Sequence, residues 1–340
     1  MTTWQPRTVL GAALGTRYDI VLTHEHFFVD LRCWLSQDDP LFPALEQEKV
    51  SDTTLADVRR NPFACPDNLV LDDADLIASE LRHLTAVAPS PLVIDVTPDT
   101  IGRDPARVAA LSRLTGVDII IGCGRYIDAS WTGTRRLDSV DRLADEIVGA
   151  LTDDRHPAGV IGEIGTSSPI TELEKRALAA AATAQGATGA LIFVHLHPWM
   201  PAATAALDIL ERHGADPSRI VLCHLDVNAA SDVRPLITLL RRGCSIGFDI
   251  WGDEFPYGDD PMPTDRERLR ALVQLAEAGL DRRVLHSQDV CTRTQLHRFG
   301  GRGYDHLARH LPGWLRAEGF TEQQIAEHMA GNALRVLGQN

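Results

Sequence analysis

The sequence has no run approaching the roughly 18 consecutive apolar residues of a membrane span, and its first ten residues show no basic stretch leading into an apolar one. A soluble, cytoplasmic protein is the expectation. Lysine is almost missing: Lys49 and Lys175 are the only two, so arginine carries the positive charge. That charge is outnumbered, with Lys plus Arg at 33 against Asp plus Glu at 47 and a formal net charge of −14. The arginine doublets Arg59-Arg60, Arg135-Arg136 and Arg241-Arg242 stand isolated. Nucleic-acid and anionic-membrane binding are therefore disfavoured, because both need a basic surface that displaces counterions. The six cysteines (Cys33, Cys65, Cys123, Cys223, Cys244 and Cys291) include no CxxC pair, and several lie inside apolar segments. That is the pattern of reduced core thiols.

At 44% hydrophobic and 24% charged residues over 340 positions, the chain has the composition of a globular protein with a sizeable core. Short apolar runs at 18–22, 92–96, 117–121, 159–164, 190–194, 219–223, 244–249 and 283–287 alternate with amphipathic stretches at 73–84, 105–114, 140–151, 172–185, 202–213, 233–241, 265–278 and 304–316. Asp104, Thr171 and Thr264 stand where N-caps belong. Eight strand and helix repeats predict a single (β/α)8 TIM barrel spanning 1–340, of the α/β class. An open doubly wound sheet would want a GxGxxG loop after its first strand, and none is present. The stretch 27–71 is too long for an ordinary βα loop. It reads as part of an active-site roof, with a short helix near 54–60.

His24-Glu25-His26 follows the first strand. Positions two apart on a strand share a side, so both imidazoles can face the barrel mouth and hold one metal. The spacing alone does not separate a metal pair from two surface histidines, since His195 and His197 repeat it. The strand ends add weight. Glu163 ends the fourth strand, His195 the fifth, His224 the sixth and Asp289 the eighth. Five strand ends thus bring four histidines and two carboxylates to the rim where barrel active sites are built.

These residues, with the runs GVIGEIGT at 159–166, His224-Leu225-Asp226, Asn61-Pro62-Phe63, 122–129 and Phe299-Gly300-Gly301-Arg302-Gly303-Tyr304, resemble the phosphotriesterase family of the amidohydrolase superfamily. The similarity is strongest to its phosphotriesterase-related branch and extends from Thr8 to Leu337. The resemblance implies a two-metal site. His24, His26 and Asp289 would hold one cation, His195 and His224 the other, and Glu163 would bridge them, along with a shared water or hydroxide. Zinc is the expected metal, with manganese, cobalt and iron open. Phosphotriesterases proper bridge with a carboxylated lysine on the fourth strand. This sequence has no lysine there, and the resemblance is to the glutamate-bearing branch.

Such a site implies a hydrolase in which the metal-bridging hydroxide attacks a carbonyl centre, with Asp289 moving the proton. A small N-acyl amide or lactone is the leading substrate. A phosphotriester (organophosphate) or carboxylester is the alternative with the same site, and a non-catalytic binding barrel is the alternative of another class. Tyr126, Arg125, Trp251, Arg293 and Arg302 follow strand ends and are the candidate substrate contacts. Their arginines suggest an anionic small molecule. A homodimer is left open.

Overall fold

The computed structural model describes residues 4–15, 17–36, 45 and 47–339. Among them, eight parallel strands carry the expected barrel: β1 (Ile20–Glu25), β2 (Pro91–Asp95), β3 (Asp118–Ile121), β4 (Ile161–Gly165), β5 (Ile192–His195), β6 (Ile220–Leu222), β7 (Ser245–Phe248) and β8 (Val284–His286). They pair as two arcs, β1-β2-β3 and β4-β5-β6-β7-β8. Crossover helices follow each strand: α1 (Ala74–Val87), α2 (Pro105–Thr115), α3 (Val140–Leu151), α4 (Glu172–Thr188), α5 (Ala203–Arg212), α6 (Arg234–Arg241), α7 (Asp265–Glu277) and α8 (His306–Ala317). The expected caps are in place. Thr171 and Thr264 form capping boxes with Glu174 and Glu267, and Asp104 accepts from the Arg107 amide ahead of Pro105. No helix among the described residues is long and apolar enough to cross a membrane.

Strand residues alternate between two apolar layers, as a pleat requires. Val21, Leu92, Ile94, Ile120, Val160, Leu191, Phe193, Val221 and Leu285 pack inside the barrel. Their neighbours Leu22, Val93, Ile119, Ile192, Val194 and Leu222 pack under the helices. Ala330, Ala333 and Leu337, from a C-terminal helical segment, join the inner layer. Within the long first loop, Val29–Asp30 pairs antiparallel with Val70–Leu71 and a helix spans Leu55–Arg60. The expected roof also covers residues 37–44 and 46, which lie outside the described residues.

The two arcs meet at two seams, and both position the site. At the β3–β4 seam, Gly162 N donates to Cys123 O at 2.7 Å and Glu163 N to Val96 O at 2.8 Å. A Cβ on Gly122 would lie 1.9 Å from the Gly162 carbonyl oxygen, so only glycine fits. Gly122→Ala is expected to destabilise the protein by about 3 kcal/mol or more, because neither backbone can retreat. Urea unfolding measures this, and an unchanged midpoint would show that the seam is plastic. At the β1–β8 seam, Asp289 N donates to His24 O at 3.2 Å, and His24 N to Ser287 Oγ at 2.9 Å. Glu25, fully buried, accepts from Ser287 Oγ, Gln288 N and Val290 N at 2.7–2.9 Å.

Candidate metal centre

A uniform pleat would not build this centre. With Val21 inside and Leu22 outside, strict alternation sends His24 toward the helices. The β1–β2 register slips between Leu22 and Glu25, and that irregularity re-aims the strand end. The β4–β5 register slips likewise between Ile161 and Ile164, on either side of Glu163. His224 and Asp289 are turned by another device: each is a non-glycine residue in the left-handed region, at φ 61° and 49°. Such conformations cost about 1–3 kcal/mol and persist where a site needs them.

The result is one cluster. Glu163 sits among all four histidines: Oε1 is 3.4 Å from His26 Nε2, while Oε2 is 3.2 Å from His24 Nε2, 3.3 Å from His195 Nδ1 and 4.0 Å from His224 Nε2. Asp289 Oδ1 lies 3.3 Å from His26 Nε2 and 3.8 Å from His24 Nε2. His195 Nδ1 and His224 Nε2 are 2.9 Å apart. All six side chains expected at the rim are thereby brought together. Their ligand atoms include two groups confined within 4.8 Å, His24 with His26 and Asp289, and His24 with Glu163 and His224.

Three partners of the cluster carry no expectation from the sequence. Asp249 Oδ1 is 3.0 Å from His224 Nδ1, and its Oδ2 is 3.6 Å from His24 Nδ1, so one carboxylate orients two imidazoles from behind. Thr97 Oγ1 is 2.8 Å from His26 Nδ1. Glu25, the middle residue of His24-Glu25-His26, faces away and ties down the chain after β8. The signal for Asp249 was available, since it ends the seventh apolar run as the other site residues end theirs.

The candidate substrate contacts divide. Tyr126 reaches the centre, its hydroxyl 3.4 Å from His195 Nδ1 and accepting from Trp34 Nε1 at 3.0 Å. Trp251, 1% exposed, donates to His286 Nδ1 at 3.3 Å and lines a neighbouring cleft beside Arg302. Arg302 itself is bound to Glu254 at 2.7 Å. Arg125 is buried and ion-paired with Asp99 and Glu146. Arg293 donates to the Asp67 carbonyl at 2.7 Å. The structure does not bring these three arginines to the centre. Each has been recruited by a nearby carboxylate or carbonyl, a competition that residue order along the chain does not reveal.

Electrostatics follow from burial and crowding. Burial pushes His195 down to about 4 despite the Glu163 carboxylate beside it. In His26, burial is outweighed by the Asp289 and Glu163 carboxylates close to its ring, which lift it to about 9. His224 is lifted to about 10, burial there being outweighed by Asp249 first. The same attraction, working against burial, holds Glu163 well below the usual carboxylate range and Asp289 down to about 2. Two imidazoles thus keep a proton at pH 7, whereas a metal ligand must be neutral imidazole. Loading the apoprotein with metal at pH 7 should release about two protons per chain, because both values stand above that pH. Calorimetry in buffers of different ionisation enthalpy counts them, and zero release would show that His26 and His224 either carry no proton in the apoprotein or do not bind the metal.

The donor set fits a divalent cation on an observation independent of sequence. His24 Nε2, Glu163 Oε2 and Asp289 Oδ1 are buried and, among the described residues, have no hydrogen-bond partner. Orphaned buried polar atoms are costly and rare, and here they converge. A third group within 4.8 Å, His24 with Cys223 and Asp249, is a poorer candidate: burial, reinforced by Asp249, pushes the Cys223 thiol far up, away from the thiolate a metal needs.

An imidazole and carboxylate cluster with orphaned donors at the mouth of a (β/α)8 barrel defines a metal-dependent hydrolase. Residues 5–337 match the phosphotriesterase family, and the chain belongs to it. It is similar to the N-acetyltaurine hydrolase of Homo sapiens, at 32% identity over 97% of each chain, and to that of Danio rerio, at 30% over 97% of each. Among solved structures it is similar to a resiniferatoxin-binding protein from Rhodobacter sphaeroides, with TM-score 0.93, 36% identity and coverage of 98% and 95% of the two chains. A phosphotriesterase homology protein from Escherichia coli, complexed with phosphate in its active site, superposes with TM-score 0.76 at 26% identity, covering 94% and 98%.

Proposed function

We propose that this chain hydrolyses a small N-acyl amide, using two divalent cations held by His24, His26, Glu163, His195, His224 and Asp289. The observation that carries the reading is the convergence of orphaned His24 Nε2, Glu163 Oε2 and Asp289 Oδ1 around one central carboxylate. Similarity to hydrolases of an N-acetyl compound over nearly the whole chain supports the amide class. Zinc suits the nitrogen and oxygen donors best, and metal analysis separates it from manganese, cobalt and iron.

Bound there, two divalent cations would supply Lewis acidity and a water acidified to near neutrality. The protein's own groups do the rest. Asp289 is the one carboxylate of the cluster open to the cleft, its side chain 16% exposed against 1% for Glu163. Held ionised, it takes a proton from the attacking water and returns it to the departing amine. Burial keeps the Tyr126 hydroxyl far above its ordinary value, so beside His195 it stays a donor for a substrate oxygen. Asp249 and Thr97 fix ring orientation from behind.

All six proposed ligands come from one chain, so the centre does not require a dimer. A cytoplasmic location and one unit over 1–340 are part of the same reading, and six free cysteines accord with a reducing compartment. The test is metal-reconstituted protein offered N-acetyl amines, lactones and phosphotriesters. Amide kcat/KM above the other two is the expected result. A lactone or phosphotriester hydrolysed faster than every amide would displace the reading, and no turnover of any would favour a binding barrel.

A further inference from the structure

The cleft over the centre is walled by rings. Trp34 stacks on Phe63 with centroids 5.6 Å apart, Phe63 meets Tyr257 at 4.6 Å, and Tyr257 meets Trp199 at 5.5 Å. The charged groups lining it are Asp289, at the centre, and Asp253. Among the described residues no lysine or arginine lines it. The stretch from Gln37 to Glu46 cannot supply one either, since by sequence it holds three carboxylates and no cation. His197, between Trp34 and Trp199, is pushed toward its neutral form by burial. In the adjoining cleft, Arg302 is paired with Glu254, and Arg59 donates to the Phe299 carbonyl at 2.7 Å.

Asp253 is the anomaly. It is 6% exposed and, among the described residues, has no ion-pair partner. Its Oδ2 accepts from the Tyr257 hydroxyl at 2.5 Å. The nearby Arg268 gives Asp253 only a backbone contact, while its side-chain bonds go to Asp226 and Asp265. Burial raises the Asp253 carboxyl to about 6 although the Tyr257 hydroxyl and the Arg268 charge lower it, and among the described residues no cation lies within ion-pairing distance of its carboxylate. Aromatic walls with a carboxylate favour an ammonium group and penalise a sulfonate or carboxylate.

We propose that the amine half of the substrate carries a positive charge seated between Asp253 and the ring wall, making the substrate class N-acylated diamines rather than N-acylated sulfonates or amino acids. This rests on the amide reading above for the reaction, and on the cleft alone for the charge. It reverses the anionic expectation drawn from the arginines, all of which are engaged elsewhere.

The test uses three chains of equal length: N-acetyl-1,4-diaminobutane, N-pentylacetamide and 5-acetamidopentanoate. Affinity for metal-loaded protein is read by tryptophan fluorescence, and kcat/KM is measured beside it. The cation should bind about tenfold tighter than the neutral chain, with the anion weakest. Asp253→Asn should bring the cation-to-neutral affinity ratio close to one, and in the wild type the ratio should fall as salt rises. An anion that binds as well as the cation, or a ratio unmoved by both the substitution and salt, overturns the proposal. If the cation is preferred in binding yet no amide is cleaved, the charge assignment stands and the amidase reading fails.

Discussion

Asparagine in place of Asp289 is expected to lower kcat by about two to four orders of magnitude. The carboxylate is held ionised at about 2, as a group that must accept a proton and pass it on requires. It is also the carboxylate of the cluster that lines the cleft, where a substrate can reach it. An amide of the same shape cannot accept that proton and is a poorer metal ligand. Metal content must be measured on the same preparation. A variant with full metal and near wild-type turnover would take the proton-transfer role away from Asp289.

Glu163→Gln should act on metal content first. Among the described residues, Glu163 is the one carboxylate within 4.0 Å of all four histidines. Two divalent cations placed on either side of it would repel each other strongly, and removing the intervening negative charge leaves that repulsion uncompensated. At least one equivalent of metal per chain should be lost, with activity falling by more than about 100-fold. Because β4 reads Ile-Gly-Glu-Ile-Gly with no lysine, reassembly of the wild type should not depend on bicarbonate. Two firmly held metals in the variant, or bicarbonate-dependent recovery, would mean that another group bridges.

The barrel was legible in the sequence because hydrophobic periodicity reports backbone pleat and helix repeat directly. All eight apolar runs are strands, and Asp104, Thr171 and Thr264 cap helices as read. The six rim residues were legible as a set for a related reason, since each lies within about three residues of the C-terminal end of a strand and strand ends share a rim. What the sequence could not show is how the side chains turn inward. Simple alternation would have sent His24 and Glu163 toward the helices. Register slips in β1 and β4, and left-handed backbone at His224 and Asp289, decide otherwise. The arginines fail for the complementary reason. Arg125, Arg293 and Arg302 sit near the rim in chain order, but a guanidinium reaches for the nearest acceptor, and Asp99, Asp67 and Glu254 already hold them. Asp253 drew no notice because an unpaired carboxyl is defined by what is missing around it, which needs three dimensions to see.

The seam between β1 and β8 also sets the order in which this protein can be made. The bonds from Ser287, Gln288 and Val290 to Glu25 join residues 262–265 positions apart. At bacterial or eukaryotic synthesis rates, roughly 10 to 50 seconds separate the emergence of the two partners. Throughout that interval the nascent chain carries His24 and His26 with neither Asp289 nor a closed ring to hold them. Ring closure is thus a late event on the ribosome, slowed by the loop entropy of so distant a contact. A chain stalled before residue 284 would present an open arc of strand edges to the cell's quality control.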